Sequence, residues 1–179
     1  MPKILALDLS STHIGWAYLV PDQRPIAKTI HLGSSKTDIA DRCLAAQQQI
    51  AVLLAACGSV DAVAIEDFVW MSPTATIPQA LVKGAVLAEL RAHGLTYCMV
   101  APATAKKALA GSGDAKKLQM LRAAAEHLGH DALFLEIEQR RGLWGAWMNE
   151  YLVYDEHASD ALGIALAAAP RVLVEGAAA

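Results

Sequence analysis

Two apolar runs that each lead directly to an acidic residue constrain the fold of this chain more than any other feature. Residues 4–7 are followed by Asp8, and the apolar-rich residues 60–65 are followed by Glu66. Runs of this length and composition are typical of buried strands. Because ligands of α/β sheets bind at strand ends and topological switch points, we expect both acids at a functional edge of one sheet.

The acid at the end of a strand has two interpretations. Taken singly, Asp8 or Glu66 is also consistent with a turn or with a hydrogen-bonded carboxylate that has no further role. Together they indicate more, because neighbouring carboxylates repel each other and stay close only around a bound cation or a shared proton.

The hydrophobic pattern predicts an α/β fold in which one mixed sheet carries helices on its faces. The predicted strands cover residues 3–8, 16–20, 26–32, 60–65 and 95–100. The predicted helices cover residues 38–57, 77–93, 102–129 with one break, and 155–169. Strands gathered at the start, read as an antiparallel meander, and then strand–helix alternation indicate this architecture. We find no repeat and no linker composition, so we expect a single domain over residues 1–179.

Composition narrows the class of protein and its compartment. The chain has 179 residues, of which 55% are hydrophobic and 18% charged, and this excludes a disordered or collagen-like protein. Its three cysteines form no CxxC pair, which argues against a disulfide framework or a zinc knuckle. The longest apolar stretch, residues 161–169, is about half a membrane span. We therefore expect a cytoplasmic protein without a membrane partner. The formal charge of −3 disfavours a nucleic-acid partner unless the basic residues are clustered.

A second acidic group begins the last predicted helix. Asp155 and Glu156 are explained by an N-cap and by a favourable first-turn charge. His157 and Asp160 are three positions apart and project from one side of the first turn, and Asp160 stands beside apolar positions. Together with Asp8 and Glu66, Asp160 completes a set of hard oxygen donors that suits Mg²⁺ or Mn²⁺. Two such ions roughly 4 Å apart clamp the attacking and leaving oxygens in phosphodiester hydrolysis.

Four segments, in order along the chain, resemble those of a known family. Residues 4–16 are similar to its first strand, catalytic Asp and glycine-containing turn, and residues 64–68 to its central strand with the catalytic Glu. Residues 101–119 match its proline-containing basic segment without a gap, and residues 157–165 match the acidic start of its last helix. The chain thus resembles the RuvC-type Holliday junction resolvases of the ribonuclease-H-like superfamily.

The resemblance implies a fold, an activity and a set of site residues. It implies a ribonuclease-H-like mixed five-stranded sheet, and a homodimeric endodeoxyribonuclease that nicks opposed strands of a four-way DNA junction. Mg²⁺ or Mn²⁺, with two ions per active site, and branch-migration machinery as a further partner belong to the same expectation. The catalytic residues implied by it are Asp8, Glu66, His157, Asp160 and Lys117. The first four would bind the metal ions, and His157 would alternatively handle a proton. Phe68 or Trp70 would separate bases at the crossover.

The basic residues of the chain are concentrated in one short segment. Within seventeen residues that contain a single acid, the chain places Lys106, Lys107, Lys116, Lys117 and Arg122. A solvated helix face is the alternative explanation, but the resemblance favours contact with DNA phosphates, with Lys106 and Lys117 nearest the cleaved strand.

Several features depart from the family pattern and leave alternatives open. Ser10 replaces a glycine and Thr12 replaces a basic residue, which predicts a weaker DNA contact at the first turn. Residues 131–154 are an extra segment whose aromatic stripe suits a core, a dimer interface or a base-stacking platform. The alternatives in function are a broader nuclease for branched, flap or single-stranded DNA and a junction-binding module with a degenerate site.

Two groups of residues receive no role in the site from this reasoning. Val82, Val86 and Leu90 on the second helix fit either a core or a dimer seam. The remaining histidines, His13 and His31 among them, are interpreted as structural or surface residues.

Overall fold

The computed structural model describes residues 2–67, 72–129, 156–170 and 172, and its sheet has five strands. They are β1 (Ile4–Leu9), β2 (His13–Leu19), β3 (Ile26–His31), β4 (Ala62–Glu66) and β5 (Tyr97–Val100). Their order across the sheet is β3-β2-β1-β4-β5. The strands β1, β2 and β3 form an antiparallel meander, and β4 pairs in parallel with both β1 and β5. The predicted mixed sheet is confirmed.

Five helices accompany this sheet among the described residues. They are α1 (Ile39–Cys57), α2 (Pro73–Ala92), α3 (Pro102–Ala110), α4 (Lys117–Leu128) and α5, which comprises residues 156–170. None of them is both long and apolar enough to cross a membrane.

The helices pack on opposite faces of the sheet because the side chains of a strand alternate in direction. Ile4 and Ala6 of β1 pack in a cluster with residues of α3, α4 and α5. Leu5 and Leu7 pack in a second cluster with residues of α1 and α2. Strand β1 is therefore buried on both sides, and the acid that follows Leu7 lies near the end of the middle strand of the sheet.

The second cluster decides the role of the apolar stripe on α2. Val82, Val86 and Leu90 are each 0% exposed and contribute to the core that α2 forms with the sheet. Of the two interpretations left open by the sequence, the core is therefore the correct one.

Several boundaries differ from the prediction: β2 begins at His13 rather than at residue 16, β4 begins at Ala62 rather than at residue 60, and α2 and β5 also begin at other residues. Helix α2 begins at Pro73 rather than at residue 77, because proline is favourable in the first turn and Pro78 is tolerated inside the helix. Strand β5 begins at Tyr97 rather than at residue 95 because its ladder with β4 begins there, opposite Val63. Phe68, Trp70, Asp155 and the extra segment 131–154 lie outside the described residues, and the single domain over residues 1–179 stays a prediction.

Candidate active site

The two acids predicted at strand ends lie at the same end of neighbouring strands. The parallel register of β1 and β4 ends with Leu7 opposite Ile65, so that Asp8 and Glu66 follow side by side. The first turn of α5 brings His157 and Asp160 to this edge, where His157 contacts Asp8. The structure therefore brings together the four residues that the sequence selected, which come from three separate segments.

Burial and mutual repulsion raise the pKa values of two of these acids. Burial, followed by the negative charges of Asp8 and Asp160, raises the pKa of Glu66 to about 7. Burial, followed by Asp8 and Glu156, raises the pKa of Asp160 to about 6. A cluster of carboxylates that resists ionisation in this way is stabilised by any cation that binds among them.

His157 is joined directly to Asp8. Its Nδ1 lies 2.7 Å from Asp8 Oδ2, and this hydrogen bond raises the pKa of His157 although burial acts in the opposite direction. A carboxylate oxygen is the natural acceptor in this contact, which favours the ring form with the proton on Nδ1. The other ring nitrogen, Nε2, is then the atom with which His157 can bind a metal ion or exchange a proton.

A glycine allows α5 to approach the sheet this closely. Gly15 on β2 stands opposite Asp8 in the antiparallel register. A Cβ at Gly15 would lie 2.0 Å from the backbone oxygen of His157, so any side chain there would displace the start of α5. The glycine predicted from the family pattern as part of a turn therefore serves a close contact between a strand and a helix.

The donor chemistry of the site fits a hard divalent cation, but its side chains do not yet surround one. Among the described residues, no group of three or more His, Cys, Asp or Glu side chains has an arrangement that could hold a metal ion. One oxygen of Asp8 is engaged by His157, and Glu66 and Asp160 must ionise before they can act as ligands. The ligand roles of these residues stay predictions.

Lys83 is a residue of the site that sequence reasoning missed. Its side chain extends from α2 into the sheet edge, is only 9% exposed, and donates from Nζ to the backbone oxygen of Glu66 at 2.7 Å. Burial lowers the pKa of Lys83, whereas the nearby acids Asp67, Glu66 and Asp8 raise it. The signal in the sequence is a lysine at helical spacing within the apolar stripe of α2.

The predicted basic segment divides into residues beside the acids and residues away from them. Lys106 of α3 lies near the acidic cluster and opposes the rise in pKa of both Glu66 and Asp160. Lys117 at the start of α4 forms an ion pair with Glu156, next to His157. Arg122 instead pairs with Glu126 on its own helix at 3.6 Å. The side chains of Lys107 and Lys116 are exposed.

Two histidines that the sequence left without a role lie against His157. The ring of His13 stacks on that of His157, with centroids 5.1 Å apart and planes inclined by 20°. The ring of His31 meets His13 edge-on at 4.2 Å. His13 and His31 are opposite each other in the β2–β3 register, and no periodicity in the sequence indicates that pairing.

The comparisons with known proteins agree with this geometry. No family model matches the sequence. The crossover junction endodeoxyribonuclease RuvC of Erythrobacter litoralis is 34% identical over 142 residues, which are 74% of this chain and 86% of that protein. This chain belongs to the RuvC family. The RuvC of Sphingopyxis alaskensis is 31% identical over 125 residues, or 65% of this chain and 77% of that protein.

Solved structures place the fold in the same family. Thermus thermophilus RuvC in complex with a Holliday junction substrate is similar with a TM-score of 0.73 and 22% identity, covering 98% of this chain and 97% of that one. Another structure of Thermus thermophilus RuvC has a TM-score of 0.68 and 20% identity, covering 97% and 96% of the two chains. The yeast mitochondrial Holliday junction resolvase Ydc2 has a TM-score of 0.58 and 11% identity, covering 92% and 76%. The predicted ribonuclease-H-like fold, which is that of RuvC, is confirmed.

Proposed function

We propose that this chain is a metal-dependent endodeoxyribonuclease that nicks opposed strands of four-way DNA junctions by phosphodiester hydrolysis. The observation that carries the proposal is the meeting of Asp8, Glu66, His157 and Asp160 at one sheet edge. Membership of the RuvC family supports the same activity, since its relatives are named crossover junction endodeoxyribonucleases.

The carboxylates of Asp8, Glu66 and Asp160 would hold Mg²⁺ or Mn²⁺, in two positions per active site. When bound, such ions lower the pKa of a coordinated water and stabilise charge on the phosphate oxygens. His157 either provides a further ligand through Nε2 or carries a proton at that atom, because its Nδ1 is held by Asp8.

Two lysines near the acidic cluster would neutralise part of the negative charge of the phosphate. Lys106 already interacts with Glu66 and Asp160, and Lys117 reaches the start of α5 through Glu156. This proximity supports a role in which their ammonium groups would stabilise the charge that develops in hydrolysis. Three exposed residues would contact phosphates further along the DNA: Lys107, Lys116 and Arg122. Contacts to phosphates hold the DNA in position but do not read its sequence.

Further parts of the proposal follow from the family. Nicking of two opposed strands requires two active sites, so we propose a homodimer on the junction. Phe68 or Trp70 would separate bases beside the site, close in sequence to Glu66. Cytoplasmic branch-migration machinery would supply the junctions.

The activity is tested with a synthetic four-way junction incubated with Mg²⁺ or Mn²⁺ and with mapping of the cut positions. The wild type should give paired, symmetric nicks. Asp8→Asn should reduce the rate by more than about a thousandfold, since a metal ligand at the reacting centre is lost. Asp41→Asn, which changes an exposed acid in the first turn of α1, is the matched control and should cleave normally. No cleavage by the wild type, or undiminished cleavage by Asp8→Asn, contradicts the proposal.

A nuclease that also cleaves flap or other branched DNA is the second candidate, and it is supported by the turn after β1, whose polar side chains bond within the protein. The Ser10 hydroxyl there is hydrogen-bonded to the backbone of His13, and Thr12 to the ring of His13, so both are engaged within the protein. Competition among four-way, three-way and flap DNA distinguishes the candidates, because a junction-specific enzyme prefers the four-way form in the presence of the others.

A further inference from the structure

We propose that His13 is a positioning residue, which fixes the ring of His157 by stacking on its face and so aims Nε2 into the reaction site. This role rests on the proposed function. It assigns a purpose to a turn that departs from the family pattern at Ser10 and Thr12.

The backbone and one ring atom of His157 are already restrained. Gly15 leaves room for the backbone of His157 against β2, and Asp8 Oδ2 holds Nδ1 at 2.7 Å. One hydrogen bond does not determine a ring plane, because rotation of imidazole about its last side-chain torsion is broad rather than confined to sharp wells. A second contact is needed to fix the plane.

His13 supplies that second contact. Its ring lies nearly parallel to that of His157, at an inclination of 20° and a centroid distance of 5.1 Å. Contact between the two ring faces restricts rotation of His157, and His13 leaves the ring edge that carries Nε2 uncovered. Asp8 therefore holds Nδ1 of His157, whereas His13 contacts the face of the same ring.

His13 is itself held on several sides. Its backbone N–H donates to Ser10 Oγ at 2.9 Å, and its backbone oxygen accepts from the Ser10 hydroxyl at 3.1 Å. Thr12 Oγ1 lies 2.8 Å from His13 Nδ1, and the ring of His31 packs edge-on at 4.2 Å. Arg42 of α1 donates from Nη1 to the backbone oxygen of Ser11 at 2.6 Å and anchors the whole turn.

These contacts explain the two departures in the turn. A glycine at position 10 could not form the side-chain hydrogen bonds that Ser10 makes to both backbone groups of His13. A long basic side chain at position 12 could not place a hydroxyl against His13 Nδ1. The polar groups of the turn therefore hold both the backbone and the ring of His13.

Two substitutions at His13 distinguish the contribution of its ring face from that of its hydrogen bond to Thr12. His13→Asn keeps a short polar side chain that can reach Thr12 but removes the ring, whereas His13→Phe keeps the aromatic face and removes the hydrogen bond. His93→Asn is the control, because His93 pairs with Glu89 on an exposed surface of α2. The readouts are kcat and KM on a four-way junction, with folding checked by circular dichroism.

We expect His13→Asn to lower kcat about 10- to 100-fold, the usual cost of losing a residue that orients a metal or proton ligand, with KM changed less than about twofold. His13→Phe should recover most of that loss, and His93→Asn should match the wild type. Equal losses in the Asn and Phe variants, a wild-type rate for His13→Asn, or a change confined to KM would overturn the proposal.

A measurement without DNA or metal keeps this proposal separate from the proposed function. Long-range ¹H–¹⁵N spectra of the metal-free protein, recorded where the ring is neutral, report which nitrogen of His157 carries the proton. The wild type and His13→Phe should show the Nδ1–H form, and His13→Asn a mixture of both forms. An unchanged His157 spectrum in His13→Asn rejects the positioning role even if the wild type cleaves junctions. A mixture there supports it even if no junction is cleaved.

Discussion

The two faces of the sheet are packed in different ways. The face covered by α3, α4 and α5 is dominated by small side chains, with Ala105, Ala161, Ala165 and Ala168 all buried in one cluster. The face covered by α1 and α2 is filled by larger aliphatic residues such as Ile50 and Leu90. The two cores therefore differ in the size of the side chains that lie between the sheet and its helices.

The contrast indicates how the site is built. Small residues allow α5 to approach β2 at Gly15 and α3 at Gly163, where a Cβ would lie 2.9 Å from the backbone oxygen of Ala105. This approach brings His157 to Asp8. The aliphatic face contributes to the site mainly by long polar side chains from α2, with Lys83 donating to Glu66 and Gln79 to the backbone oxygen of Leu9. On the first face, α5 carries His157 and Asp160 to the site. On the second face, α2 forms hydrogen bonds to the ends of β1 and β4.

Among the variants that test this contrast between the two faces, the largest effect on activity is expected where the close approach of α5 to β2 is blocked. Gly15→Ala places a Cβ against the backbone of His157 and must shift α5. A displacement of about 1 Å at a reacting centre costs on the order of a hundredfold in rate, and overpacking costs about 1–3 kcal/mol of stability. Junction cleavage and thermal unfolding measure the two effects.

Gly84→Ala is the matched control on the other face. A Cβ at Gly84 in α2 meets nothing within 4 Å. Alanine is the better helix former, so this variant should gain about 1 kcal/mol of stability and keep its activity. If the two variants behave alike, the proposed difference between the faces is wrong.

Removal of the buried lysine should have the next largest effect. Lys83→Met takes away a cation that lowers the pKa of Glu66 and a donor to its backbone oxygen. We expect kcat to fall about 10- to 30-fold, the cost of losing a hydrogen bond from a charged group. The acid limb of the pH–rate profile should move to higher pH, because Glu66 then ionises less readily. Lys36→Met, at an exposed position, should change neither quantity.

The acid cluster should lower the stability of the metal-free protein as the pH rises. The pKa of Glu66 is raised from 4.5 to about 7, so in this range the folded state binds more protons than the unfolded state. Stability therefore falls from about pH 4.5 to about pH 7, by at most about 3 kcal/mol and by less where solvent screens the group. Glu66→Gln should match the wild type in thermal unfolding at pH 4 and exceed it at pH 8. A lower melting temperature of the variant at pH 8 contradicts this prediction.

The smallest effect is expected at the exposed ion pair between Lys117 and Glu156. Their side chains are 69% and 37% exposed, so Glu156→Gln should change stability by less than about 1 kcal/mol. The substitution frees Lys117 for phosphate and removes a negative charge near the DNA. Junction affinity should therefore rise about two- to fivefold at low salt, with the gain lost at high salt. Glu89→Gln, which breaks the remote pair with His93, should leave affinity unchanged.

Local signals predicted most of the fold. Apolar runs identified the five strands, because burial on both faces of β1 and β4 needs continuous apolar sequence. The ends of α1, α2 and α4 were predicted from Gly58, Gly94 and Gly129, each of which has the positive φ that glycine adopts without strain. The start of α2 was placed too late because a proline inside a helix resembles a boundary.

The site was predicted only where a residue carries its own signal. An acid at the end of an apolar run is recognisable, and so is an acid at the start of an amphipathic helix, which identified Asp8, Glu66 and Asp160. His13 carries no such signal, and Lys83 is marked only by its position among the apolar residues of α2, because each acquires its role from a neighbour on another element. Their chemistry depends on packing that no local pattern encodes.

The sequence by itself thus determined the strands, the helices and the acids of the candidate site, because hydrophobic periodicity and strand-end position are local properties. Only the tertiary structure decided which side chains meet. Asp8 and His157 are 149 positions apart, and their hydrogen bond exists because Gly15 and the alanines of one face let a helix rest directly on a strand. Contact between such distant residues depends on the volumes of the side chains between them, and this is settled only when the core is packed.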